Sequence, residues 1–149
     1  MSVTRRQVAA SPEQVFAVLA DGWLYASWVV GAARIRDVDD GWPSPGTKIH
    51  HSIGAWPVFL HDTSMVVEAD PPRTLLLEVR VRPVGRGLVR FTLREQDGGT
   101  EVTMTEEPSE GPARTVYNRA LDALTDVRNK ETLLRLGWLA EGRVRHHKI

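Results

Sequence analysis

A chain of 149 residues with 19 Lys and Arg against 19 Asp and Glu carries no formal net charge. That balance argues against a general electrostatic grip on nucleic acid or anionic lipid. The absence of cysteine excludes a disulfide framework, a thiolate metal site and a cysteine nucleophile together.

The length suits one domain built on one hydrophobic core, so residues 1–149 are expected to form a single domain. The segment from Met1 to Ala10 carries Arg5 and Arg6 but no apolar stretch long enough for a signal peptide. No apolar run approaches the ~20 residues a spanning helix needs. The expectation is a cytoplasmic protein with no integral membrane association and no nucleic-acid partner. The basic cluster Arg143-Val144-Arg145-His146-His147-Lys148 is short and reads as a solvated terminus.

In chain order, Ser2 to Ala10 suits a strand. Ser11-Pro12-Glu13-Gln14 then has the chemistry of a helix start, with Ser11 as cap, Pro12 at the first helical position and Gln14 completing a capping box. Val15, Phe16, Val18 and Leu19 supply its buried stripe, and Asp21-Gly22 ends it. Trp23 to Val30 is a second short apolar segment, read as helical. Six strand-like stretches follow, separated by turn residues. They run over Ala33–Val38, Thr47–Ile53, Val58–Glu68, Thr74–Arg82, Leu88–Glu95 and Thr100–Glu106, with turns at Trp56-Pro57, Asp70-Pro71-Pro72 and Pro83-Val84-Gly85. Asp97-Gly98-Gly99 is a strong hairpin signal. A long helix is expected from about Ala113 to about Glu141. Strands joined by short turns, with helices kept to one face, give an α+β fold with a seven-stranded antiparallel sheet.

Alternation along each strand assigns faces, the charged positions marking the wet side. The inner set is then Ile49, His51 and Ile53; His61, Thr63, Met65 and Val67; Leu77, Val79 and Val81; Val89, Phe91 and Leu93; and Val102, Met104 and Glu106. On the last helix the apolar stripe carries Val116, Tyr117, Ala120, Leu121, Leu124, Val127, Leu134 and Trp138. Asn118, Arg119, Asp122, Asp126, Asn129 and Lys130 fall opposite. Glu131 lies near the middle of the apolar stripe and Arg128 near its edge. A buried carboxylate needs a partner. Glu131 therefore reads either as one half of a helix-edge ion pair with Arg128 or Arg135, or as a polar anchor at the end of a wet cavity.

Three stretches resemble a known family: Ala9-Ala10-Ser11-Pro12-Glu13-Gln14-Val15-Phe16; Gly46-Thr47-Lys48-Ile49-His50-His51-Ser52-Ile53-Gly54 with Trp56-Pro57; and Arg128-Asn129-Lys130-Glu131-Thr132-Leu133-Leu134-Arg135-Leu136. With the element order, they make the chain similar to the helix-grip proteins of the START and Bet v 1 superfamily, in the bacterial polyketide cyclase/dehydrase-like branch. The resemblance implies a sheet gripping the C-terminal helix around a cavity for lipids, polyketides or other hydrophobic molecules. It does not choose between carriers, aromatase/cyclases and hydrolases.

A register with Ile53 opposite Phe59 would set His51 opposite His61 on the inner face, with Cβ atoms ~5 Å apart. Such a pair orients a ligand carbonyl or serves as acid and base; otherwise each histidine merely completes hydrogen bonds at the cavity mouth. A metal would need Glu106 or Glu131 as a third ligand, and no spacing here matches a zinc motif, so no metal or cofactor is expected. Trp23, Tyr25, Trp28, Trp56 and Trp138 read either as a pocket opening or as core, and Trp42 as the cover of an entrance.

The candidate ligand-binding set is His51, His61, Thr63, Met65, Val79, Phe91, Met104, Leu124, Val127 and Glu131. The expected partner is a small hydrophobic molecule. The alternative is a cofactor-independent aromatase/cyclase or dehydrase using His51, His61 and Glu131 for proton transfer.

Overall fold

The structure, a computed structural model, describes residues 1–55, 58–81, 85–110 and 119–147. The elements follow one another as strand β1 (Ser2–Val8), helix α1 (Pro12–Leu19), a 3-10 turn (Gly22–Leu24) and the short helix α2 (Tyr25–Trp28). Strands β2 (Ala32–Val38), β3 (Lys48–Ala55), β4 (Val58–Asp70), β5 (Thr74–Val81), β6 (Gly85–Gln96) and β7 (Gly99–Glu110) come next. Helix α3 (Arg119–His147) follows. The expected turns at Trp56-Pro57 and Pro83-Val84, the expected helix start near Ala113, and the side chains of Ile53, Val81, Val116, Tyr117, Ala120 and Leu121 lie outside the described residues.

The start of α1 carries the signals read from sequence. Ser11 Oγ accepts from the Gln14 amide at 3.2 Å, and the Gln14 side chain accepts from the Ser11 amide at 2.8 Å. This reciprocal pair satisfies two of the amides that a helix start leaves without partners. Val15, Phe16, Val18 and Leu19 are buried.

The seven strands form one antiparallel sheet in the order β1-β7-β6-β5-β4-β3-β2. Strands β1 and β2 therefore stand at opposite edges, and α1 and α2 carry the chain from one edge to the other. The β6–β7 turn has two residues, with Asp97 and Gly98 both at positive φ (53° and 76°) between the paired Gln96 and Gly99. That geometry matches the right-handed twist of the flanking strands. Register shifts in β2 and β4 mark bulges, which bend a strand and raise its twist.

Helix α3 packs against β1, α1, α2 and β7. Its buried side is Asn129, Thr132, Leu133, Leu136, Gly137 and Ala140. This stripe has the expected helical spacing but is rotated from the expected face. Leu124, Val127 and Trp138, placed inward from sequence, are 69%, 68% and 58% exposed. Leu134 is half-buried, and Asn129, assigned to the wet side, is fully buried. The physical reason is close approach. A Cβ at Gly137 would already meet Arg6 Nε at 3.3 Å and Val8 Cγ2 at 3.4 Å, so the helix turns its smallest residues toward β1. The larger Trp138 is left on the outside.

Candidate functional site

A cavity of about 220 Å³ lies between the inner face of the sheet and α3. Its aromatic wall comes from α2 and β6. Tyr25 and Trp28 meet edge to face with centroids 5.3 Å apart, and Trp28 meets Phe91 in the same way at 5.6 Å. Burial of a side chain such as Phe91 contributes about 1.5–3 kcal/mol, so this wall is also core. Leu77, Val79, Val89 and Met104 provide the aliphatic surface, and the segment from Val29 to Ala32 lies along one side.

Two groups of polar side chains reach the cavity. On the β3–β4 side, Ser64 Oγ lies 2.7 Å from the Tyr25 hydroxyl and 3.0 Å from His51 Nε2. The imidazole stacks on the Tyr25 ring with centroids 5.4 Å apart. Burial pulls the His51 pKa down to about 4, against the nearby Asp62 carboxylate, which acts in the opposite direction. Burial pushes the Tyr25 phenol up to about 12. Both groups are thus neutral near neutral pH. His51 Nδ1 and Trp28 Nε1 are buried without hydrogen-bond partners among the described residues.

On the β7–α3 side, Glu106, Arg128, Asn129 and Thr132 face the cavity. Glu106 Oε2 accepts from Arg128 Nη2 and, at 2.9 Å, from Asn129 Nδ2. Asn129 Oδ1 is itself 3.4 Å from Arg128 Nε. Thr132 Oγ1 accepts from the Val30 amide at 3.3 Å, joining α3 to the segment after α2.

Of the candidate set read from sequence, His51, Val79, Phe91 and Met104 line this cavity. His61, Thr63 and Met65 do not. The pairing is Ser52 with His61 and His51 with Asp62, one residue away from the expected register, so the two histidines stand on opposite faces. Asp62, Ser64 and Val66 are the buried members of β4, while His61 and Val67 are exposed. Asp62 had marked the wet face, yet it is 3% exposed, its Oδ1 accepting from the Thr63 amide at 3.0 Å. The bulge between Val66 and Glu68 then returns Glu68 to the outside, which made two charges of opposite facing look alike in sequence.

Leu124, Val127 and Glu131 do not line the cavity but an open groove beside Arg5 and Lys130, which shares Val30 and Arg128 with the cavity wall. Glu131 pairs with Arg135 one turn on at 3.0 Å and is 43% exposed, the helix-edge arrangement rather than the cavity anchor. Trp42 does not line the cavity. Its Nε1 donates to the Leu19 carbonyl at 3.1 Å and its ring packs beside Gly22, fastening the β2–β3 loop to the end of α1. Trp23 and Trp138 are exposed, and Trp56 lies outside the described residues. Among the described residues no group of three His, Asp or Glu side chains is placed to hold a metal ion. No helix among them is long and apolar enough to cross a membrane.

Sequence reasoning missed Ser64 and Asn129 as inward residues. The signal for Asn129 was present: Thr132, Leu133, Leu136, Gly137 and Ala140 recur with it at helical spacing, but small and polar residues carry little weight in a hydrophobic stripe.

No curated protein matches the sequence. Among solved structures, a protein from Rhodobacter sphaeroides superposes with a TM-score of 0.72 at 24% identity, covering 94% of this chain and 91% of that one. Ara h 8.0201 gives 0.71 at 13% identity over 94% and 96% of the two chains. The di-domain ARO/CYC StfQ from the steffimycin biosynthetic pathway gives 0.72 at 12% identity, covering 95% of this chain and 50% of that one. These likenesses establish the helix-grip fold. Residues 2–133 match the family model described as polyketide cyclase/dehydrase and lipid transport, and the chain belongs to that family.

Proposed function

We propose that the protein binds one small, mainly apolar molecule of polyketide-like or short lipid-like character in the cavity between the sheet and α3. The observation that carries this reading is the cavity itself, about 220 Å³ with aromatic and aliphatic walls and few polar groups. Pockets for small ligands have this composition. The family description names both polyketide chemistry and lipid transport, and one structural neighbour is an ARO/CYC protein. The volume equals roughly seven waters and lies below the ~300–1,000 Å³ usual for ligand pockets. A one- or two-ring molecule or a short acyl chain fits that space.

The catalytic alternative needs Glu131, which is paired with Arg135 outside the cavity, together with His51 and His61 as an acid–base pair. That pair does not form, because the two residues face opposite sides of the sheet. His51 alone, its pKa pulled down to about 4 by burial, is a weak base near neutral pH and is not charged as an acid there. Binding is therefore the reading the site supports best.

The test is native mass spectrometry for a copurified molecule, followed by titration of ring compounds monitored by Trp fluorescence and melting temperature. Val79→Trp fills the cavity from β5. It should abolish binding while the protein stays folded. A wild-type protein that binds none of the compounds, or a filled variant that binds them equally well, contradicts the proposal.

A further inference from the structure

We infer that the molecule held in the cavity carries a neutral hydroxyl group, an alcohol or a phenol, that docks on Glu106 and Arg128. This inference rests on the cavity-binding reading above and adds the chemical class of the ligand.

The cluster is held from two elements, β7 and α3. Glu106 projects from β7 opposite Val89, and its side chain is 21% exposed. Arg128 and Asn129 are neighbours on α3, one 40% exposed in its side chain and the other fully buried. Both donate to the same carboxylate oxygen, Glu106 Oε2. Asn129 in turn presents its Oδ1 to Arg128 Nε and Nη2, each at 3.4 Å. The carboxylate and guanidinium are thereby fixed side by side on the cavity wall.

Such a pair presents a strong acceptor and a strong donor at one place and is neutral overall. An anionic ligand would gain Arg128 only against repulsion from Glu106. A cationic ligand meets the reverse conflict. A charged group must also leave water for walls built of Trp28, Phe91, Val89 and Met104, which is costly without a full counter-charge. A hydrocarbon avoids that cost but uses neither polar group, and it removes their access to water. A hydroxyl satisfies both: its proton goes to the carboxylate, and its oxygen accepts from the guanidinium. The ring or chain behind it then lies against the aromatic wall.

The experiment compares naphthalene, 2-naphthol and 2-naphthoate on the intact chain by calorimetry near pH 7, where the naphthol is neutral and the naphthoate ionised. Naphthol should bind about tenfold or more tighter than either relative, the usual scale of a hydrogen bond to a charged group. Glu106→Gln keeps an acceptor but loses the charge, so it should shrink that advantage and bind naphthoate more tightly than wild type does, because Arg128 then lacks its counter-charge. Arg128→Lys keeps the charge but not the fork, and should reduce the naphthol preference without inviting naphthoate. Should Glu106→Gln fail to fold, the wild-type series and Arg128→Lys decide the matter. Equal binding of naphthol and naphthalene overturns the hydroxyl inference and leaves the cavity reading standing. Tightest binding of naphthoate overturns it in favour of an anion site. Binding of none of the three overturns both.

Discussion

Asn129 Nδ2 donates to Glu106 Oε2 at 2.9 Å, and this contact ties the buried side of α3 to β7 at the polar side of the cavity. Asn129 is 0% exposed, so the amide has exchanged water entirely for protein partners. Removing it leaves Glu106 and Arg128 with one partner fewer each, although they still hold each other and both retain some exposure. Asn129→Ala is expected to lower stability by about 1 kcal/mol, the net worth of a hydrogen bond whose remaining partner stays paired. Urea unfolding at neutral pH measures this, and a change of a few tenths of a kcal/mol would show the amide to be a bystander.

His51 gives the stability a pH dependence whose sign follows from burial. Its folded pKa is lowered from 6.5 to about 4, so between those values the unfolded chain binds a proton that the folded chain refuses. Stability therefore rises with pH across that window. The contribution is fully present above pH 6.5 and is lost as pH falls toward 4. Its full size is on the order of 3 kcal/mol. Urea midpoints between those pH values should fall with acidification, and His51→Gln should flatten the slope. A variant with an unchanged slope would assign the effect to other groups.

The fold was legible in the sequence because its signals are local. Ser11 and Gln14 announce α1, Asp97 and Gly98 announce the β6–β7 turn, and alternation in β5, β6 and β7 places Val79, Phe91 and Met104 on the inner face. The candidate site was only partly legible because it depends on registers that local signals do not set. A one-residue shift in the pairing of β3 with β4 moved His61 away from His51, and a buried Asp62 reversed the apparent wet face of β4. On α3, the face was chosen by how closely Gly137 and Ala140 let the helix approach β1 and α1, not by which side carries more hydrophobic mass.

The same corrections separate residues that matter for the cavity from residues that do not. Glu131 is paired with Arg135 at a half-exposed helix edge, where such pairs are worth roughly 0–1 kcal/mol. His61 is exposed on the opposite face of β4 from Ser64. Glu131→Gln and His61→Ala should each leave stability within about 0.5 kcal/mol and the affinity for 2-naphthol unchanged. A loss of affinity in Glu131→Gln, measured by the same calorimetry, would move the site toward the outer groove, and one in His61→Ala would move it to the outer face of the sheet.

Two glycines are expected to respond oppositely to alanine. At Gly99 an added Cβ would stand 2.3 Å from the Val8 carbonyl oxygen and 3.2 Å from Gln7 Nε2. Backbone oxygen cannot rotate away as a side chain can, so β1 must move off β7 where Val8 pairs with Thr100. Helix α3 rests on β1, which spreads the disturbance to the side of the core that closes the cavity. Gly99→Ala should cost about 2 kcal/mol or more, as overpacking at a rigid contact does. Gly142 lies within α3 with nothing within 4 Å of its virtual Cβ. Alanine there removes backbone freedom from the unfolded chain at no steric cost, and should add about 0.5–1 kcal/mol. Denaturant unfolding of the two variants against wild type measures both signs. A neutral Gly99→Ala would mean that the β1–β7 edge yields more easily than its geometry indicates, and a destabilising Gly142→Ala would mean that the end of α3 makes contacts that need its bare backbone.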